Sequence, residues 1–173
     1  DISALEDVIE EVARIYGYQK IKLISPTISL RAPEPDMMIE TKDTARSFLS
    51  GAGLDEVYNY SMVSAAEAQF TTHHLPPTTE SEAIPLENPI SNEFSHLRNS
   101  LMSGLVKNIE YNRKFFDEVK IFEIGRVFSP RKQKKSEKVE ERTMMALAAS
   151  GKKESFFEIK GVVQALLEHL GIG

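Results

Sequence analysis

The sequence predicts an α+β domain: a largely antiparallel sheet flanked by helices, preceded by a short helical segment. Three observations carry this. Apolar residues recur at helical spacing over 36–52, 100–112 and 156–170. Short runs of strand length fall at 56–62, 119–122, 126–128 and 143–149, the first three rich in Val, Ile, Phe and Tyr and the last simply apolar. In chain order these elements run helix, strand, strand, helix, strands, helix, which is the order of an α+β fold rather than of repeated β-α-β units.

The opening stretch Asp1–Glu11 reads as a capped helix. Ser3 and Glu6 stand at capping-box spacing. At ~100° per residue, Asp7, Glu10 and Glu11 share one face, while Leu5, Val8, Val12, Ile15 and Tyr16 lie opposite. Asp1 precedes the cap and can fold back toward the acidic face. Glu10 and Arg14 form an i, i+4 pair. Gly17 is a natural helix stop. Residues 18–35 lose periodicity and carry Pro26, Pro33 and Pro35, which marks an extended linker and a domain boundary near Pro35.

Beyond it, Met38, Thr41, Ala45, Phe48, Leu49 and Ala52 form one helical stripe, and Gly51 and Gly53 end it. Residues 56–62 read as a strand. Residues 64–70 read as a helix with Ser64 and Glu67 at capping-box spacing, and 71–82 as a polar loop. A short strand at 83–86 is turned by Asn88-Pro89. The helix over 100–112 places Leu101, Leu105 and Ile109 on one face. Residues 119–122 and 126–128 read as strands around a bend or bulge at Gly125. A charged loop at 129–141 leads to an apolar run at 143–149, most simply a buried strand, although Met144, Ala146 and Ala148 would also suit a helix. The last helix aligns Phe156, Ile159, Val163, Leu166, Leu167 and Leu170.

Composition narrows the function classes. The chain has 173 residues, 41% hydrophobic and 27% charged, as in an ordinary globular protein. No apolar run nears the ~20 residues of a membrane helix, and the acidic opening is unlike a secretory signal. A start without Met suggests a piece of a longer chain. The absence of cysteine excludes disulfides, thiolate nucleophiles and Cys-ligated zinc, and fits a cytoplasmic setting. A net charge of −5 argues against nucleic-acid binding by bulk electrostatics.

Four groups of residues are candidates for chemistry. The carboxylates of the first helix are either a solvated face suited to the helix dipole or an oxygen-rich site for a hard cation such as Mg²⁺. His73-His74 lacks a third ligand at recognised spacing and reads as loop. His96 and His169 are isolated, and no Ser–His–Asp order follows from them. The basic run Arg131–Lys135 could meet phosphates, but Glu137, Glu140 and Glu141 follow at once, as in a charge-mixed hairpin loop. The string Ile121–Phe128 is the most distinctive, because Glu123 sits polar within an apolar run.

Together these strings resemble the β subunit of bacterial phenylalanyl-tRNA synthetase. The matching pieces are Glu6–Tyr18, Gly53–Ser61, Asn88–Ser91, Leu97–Leu101 with Gly104 and Leu105, Phe122–Phe128, and Phe157 with Lys160 and Gly161, all in family order. The resemblance implies that residues 1–34 are the tail of a winged-helix-like module plus a linker. Residues 35–173 would then be a synthetase-like domain of class II architecture. It also implies no catalytic residue here. Catalytic relatives carry a phosphate-binding Arg in the second class II motif, whereas Phe122 stands before Glu123, and the Gly-rich third motif is missing. ATP would be a substrate of the holoenzyme and not a ligand of this fragment.

The same resemblance assigns Asp1, Asp7, Glu10 and Glu11 as Mg²⁺ ligands, at the family's offsets, in a site shared with the α subunit of an α2β2 heterotetramer. The implied partners are that α subunit and tRNA, with no membrane, in the cytoplasm. The implied role is a non-catalytic docking module of an ATP-dependent phenylalanine–tRNA ligase. Two alternatives stand beside it: a stand-alone synthetase-like paralogue that binds an amino acid or tRNA, and a nucleic-acid-binding module using residues 131–135.

Overall fold

A computed structural model of the chain describes residues 4–32, 34–74, 83–130, 139–151 and 155–172. The chain divides into two compact units, Asp1–Pro35 and Asp36–Gly173.

In the first unit, α1 (Leu5–Tyr16) ends at Gly17, whose φ of 96° is a conformation that side chains with a Cβ rarely take. The Gly17 amide bonds the Ala13 carbonyl at 2.9 Å. A single 3₁₀ turn, Tyr18–Lys20, follows, and the chain then runs without regular structure. The helix start differs from the sequence expectation. Ala4 is the N-cap, and the Asp7 carboxylate reaches back to accept the Ala4 amide at 2.8 Å. Asp7 therefore takes the position expected of Glu6, while Ser3 lies outside the described residues. Ala4 has no side-chain acceptor, so this is only the reach-back half of a capping box.

The second unit is a three-layer arrangement about a sheet of order β1–β5–β6. β1 (Asp55–Glu56) runs parallel to β5 (Val119–Pro130), and β5 pairs antiparallel with β6 (Val139–Ser150) over its whole length. Alternate residues of β5 face opposite sides, as the pleat requires. Phe122 enters a core with Ala45 and Leu49 of α2 (Met37–Gly51), Leu54, and Leu166 of α5 (Ser155–His169). On the other face, Val119 and Ile121 meet Leu105 of α4 (Met102–Asn112), with Ile109 and Val57 packed alongside. Burying Phe122, Leu49 or Leu166 contributes about 1.5–3 kcal/mol each.

Local chemistry fixes the helix ends. Asp36 caps α2 by accepting the Met38 amide at 2.9 Å and the Ile39 amide at 3.4 Å. Gly53 (φ 84°) turns the chain out of it. Ser64 caps α3 (Ala65–His74) in a complete capping box: the Glu67 amide donates to Ser64 Oγ at 3.3 Å, and the Ser64 amide donates to Glu67 Oε2 at 3.0 Å. A second small sheet orders β2 (Met62–Val63), β4 (His96–Leu97) and β3 (Ile84–Pro85), all antiparallel.

Several expectations are corrected. Residues 56–62 are not one strand. Val57 still donates to the Phe122 carbonyl at 2.8 Å, but Asn59 turns to bond a β5 side chain, and the chain rejoins a ladder only at Met62. β5 does not bend at Gly125, which pairs in register with Met144. The glycine is needed because a Cβ there would sit 2.2 Å from Arg98 Nη2. The helix at 65 continues to His74 where a loop was expected from 71, and β5 and β6 extend to Pro130 and from Val139 into the expected loop. Arg14 pairs with Glu11 instead of Glu10.

Candidate functional site

Arg98 is held on both sides by backbone. Its amide donates to the Ser61 carbonyl and its carbonyl accepts the Phe128 amide, each at 2.9 Å, so the small sheet is tied to β5 at this residue. The side chain then turns inward. Its Nη1 donates to Glu123 Oε1 at 2.6 Å and to the Asn59 carbonyl at 3.3 Å, and its Nε donates to the Arg126 carbonyl at 2.8 Å. Asn59 Nδ2 donates to Glu123 Oε2 at 2.7 Å, and Asn108 Nδ2 donates to Asn59 Oδ1 at 3.0 Å. Arg98 is 4% exposed and Glu123 0%. A charged pair this deep persists only when its hydrogen-bonding capacity is met, and no fully buried side-chain polar atom among the described residues lacks a partner. The polar Glu123 inside an apolar strand is thus explained by a cation supplied from 25 residues upstream.

The network forms part of the wall of a cleft of about 490 Å³. Ser100, Ser103, Gly104 and Lys107 of the α4 start also line it, with Glu67 and Glu93. Lys107 Nζ and Glu67 Oε1 are 2.6 Å apart. Burial pushes the Glu67 carboxyl up, but the hydrogen bonds from Lys107 and Ser64 outweigh it and hold the group below the ordinary value of 4.5.

The four expected metal ligands belong to the first unit. Asp1 is outside the described residues. Asp7, Glu10 and Glu11 lie along α1 at i, i+3 and i+4 spacing. Asp7 accepts the Ala4 amide and Glu11 bonds the Arg14 guanidinium. In kind the donors suit Mg²⁺, being carboxylate oxygens. Among the described residues, no three His, Asp or Glu converge as a metal site. The Glu11–Arg14 pair is well exposed, so releasing it for another partner costs little.

Of the remaining candidates, His96 Nδ1 lies 3.0 Å from Ser95 Oγ, and the His169 ring lies 5.1 Å from that of Phe48. The His73 and His74 side chains and the run 131–135 lie outside what is described. Sequence reasoning missed Asn59 and Asn108 in the network and Ser103 in the cleft. Asn59 carried one usable sign, an amide between two tyrosines in a predicted strand. Among the described residues, no helix is long and apolar enough to cross a membrane.

Residues 21–173 match the family model for the phenylalanyl-tRNA synthetase beta chain CLM domain. Similar proteins include the phenylalanine–tRNA ligase beta subunits of Bacillus cereus, 34% identical over 182 residues, and of Clostridium acetobutylicum, 35% identical over 180 residues. Each alignment covers 99% of this chain, which spans 22% of either relative's length. Among solved structures, a pyrrolysyl-tRNA synthetase from Desulfitobacterium hafniense superposes with a TM-score of 0.63 at 16% identity. That match covers 96% of this chain and 55% of the other. The fold is therefore the class II synthetase-like α+β architecture expected from the sequence.

Proposed function

The chain belongs to the phenylalanyl-tRNA synthetase beta chain family, matching its CLM domain, and on that premise we propose that it is a non-catalytic docking module of a phenylalanine–tRNA ligase. The ligase would charge its tRNA in the cytoplasm, using ATP, with the chemistry on an α subunit. The observation that carries this reading is the closure of Arg98 on Glu123. In the string that resembles a catalytic motif, the buried carboxylate is neutralised internally, and Phe122 beside it is core. Activating an amino acid with ATP requires cationic groups aimed at the developing phosphate charge, and the cation at this string, Arg98, is spent on Glu123.

A docking role is supported by the first turn of α2. Met37, Met38 and Ile39 are 80%, 56% and 56% exposed, side by side at the start of a helix whose later residues, Ala45 and Leu49, enter the domain's own core. Three exposed apolar side chains in one helical turn suit a protein interface. In the α2β2 assembly, Asp1, Asp7, Glu10 and Glu11 would hold Mg²⁺ at the contact with the α subunit. The ion would supply charge neutralisation that orders the junction.

The test is co-expression of the full β chain with its α subunit, measuring assembly and bound Mg²⁺ for wild type and for Asp7→Ala with Glu10→Ala. The reading expects a heterotetramer with Mg²⁺ in the wild type, and loss of metal with weakened assembly in the variant. A variant that assembles and holds Mg²⁺ as the wild type does would overturn the metal assignment. Failure of the wild-type chains to associate would overturn the docking role.

A further inference from the structure

Within these 173 residues sulfur occurs only in methionine: there are six methionines and no cysteine. Two of the six, Met37 and Met38, stand side by side in the first turn of α2, 80% and 56% exposed. Met144 and Met145 on β6 are less open, and Met62 and Met102 are half-buried. A thioether must meet a dissolved oxidant to react, so access ranks Met37 and Met38 first.

A second observation concerns what that turn does in the fold. Asp36 accepts the Met38 and Ile39 amides, and Thr41 Oγ1 donates to the Met37 carbonyl at 2.7 Å. The turn is thus held through its backbone. α2 enters the core through Ala45 and Leu49, with Phe48 packed against it. The two methionine side chains take no part in that core. A change in their polarity therefore leaves the domain folded and alters the surface alone.

We propose that Met37 and Met38 form a reversible oxidation site whose state sets whether this surface can dock. The switch rests on the docking role proposed above. The oxidant is hydrogen peroxide. The thioether sulfur attacks one peroxide oxygen, an S–O bond forms and the O–O bond breaks. Sulfur gives up two electrons, and the departing hydroxide takes the proton of the transferred hydroxyl to become water. The product is a sulfoxide, polar where the thioether was apolar. Seated against an apolar partner, its oxygen loses water without gaining a donor. A methionine sulfoxide reductase supplied with a dithiol reverses the step, the oxygen leaving as water and the dithiol becoming a disulfide. Docking covers both sulfurs, so the site is open only in the unassembled chain.

The experiment treats the full β chain with hydrogen peroxide, alone and already assembled with its α subunit. Sulfoxide at each methionine is read by peptide mass spectrometry, and affinity for the α subunit is then measured. Each protein is scored as treated against untreated, so any effect of a substitution on assembly itself cancels. In the free chain Met37 and Met38 should oxidise before Met62 and Met102, and in the assembly they should be protected. Affinity for the α subunit should fall about tenfold or more, as expected when an apolar side chain can no longer be buried. The reductase should restore it, and the thermal midpoint should hold throughout. Met37→Leu with Met38→Leu should abolish the fall, whereas Met144→Leu with Met145→Leu should keep it.

Oxidation at Met37 and Met38 no faster than at Met62 and Met102 overturns the proposal. So does unchanged affinity once both are oxidised, or a fall that persists in the Met37→Leu, Met38→Leu chain. A lowered thermal midpoint would trace the loss to unfolding and overturn it too. Untreated wild-type assembly reports the docking role by itself. If that assembly forms and peroxide leaves it unaffected, the switch fails and the docking role stands; if it never forms, both fail.

Discussion

Arg98 and Glu123 set the energetic logic at the residue scale. Removing either partner strands the other charge in the interior, so Arg98→Met or Glu123→Leu should each cost about 3–5 kcal/mol. The double substitution should cost less than the sum, because no bare charge remains. Urea unfolding of the four proteins measures this coupling, and additive losses would contradict it. Gly125→Ala tests the same spot from the backbone side. Its Cβ would fall 2.2 Å from Arg98 Nη2 and 3.2 Å from Leu101 Cδ2, so a loss of roughly 1–3 kcal/mol is expected. An unchanged unfolding midpoint would show that the guanidinium moves aside freely. Glu123 was visible in the sequence as an anomaly, and Arg98 as part of a distinctive string. Their pairing was not visible, because it depends on β4 lying across β5.

At the element scale, strongly periodic segments were the legible ones. The stripes on α2, α4 and α5 follow from apolar spacing alone, and the Ser64–Glu67 cap from a four-residue pattern. What tertiary structure decides was not legible. Gly125 looked like a bend because its large neighbour, Arg98, is distant in sequence. The run at 56–62 looked like a strand because its Val and Tyr residues favour one, yet Asn59 leaves the ladder to bond Glu123. The acidic face of α1 was read from spacing, but its use as a cap by Asp7 depends on where the helix starts.

The α3 cap also predicts a pH response. Glu67 is held below the ordinary carboxylate value, so the unfolded chain takes up its proton first as pH falls. Its contribution is complete above pH 4.5 and is lost as pH drops through the lowered folded value. Ser64→Ala should remove about 0.5–2 kcal/mol at neutral pH. Glu67→Gln should flatten the acid limb of the stability profile. An acid limb identical in wild type and Glu67→Gln would contradict the assignment.

At the scale of the whole unit, β5 is covered on both faces by helices, and this sets what substitution does to fold and to assembly. Leu166→Ala empties a fully buried position between α5 and β5 and should cost about 2–5 kcal/mol by thermal or urea unfolding. Lysine at Met37, Met38 and Ile39 should leave stability within about 0.5 kcal/mol, as surface changes do, while preventing association with the α subunit. The most direct measurement of the central claim is phenylalanine-dependent pyrophosphate exchange by the full β chain, purified without its α subunit. A docking module whose Arg98 and Glu123 are closed on each other predicts no exchange above background until the α subunit is added. Exchange by the β chain alone, rising with its concentration, would contradict the account.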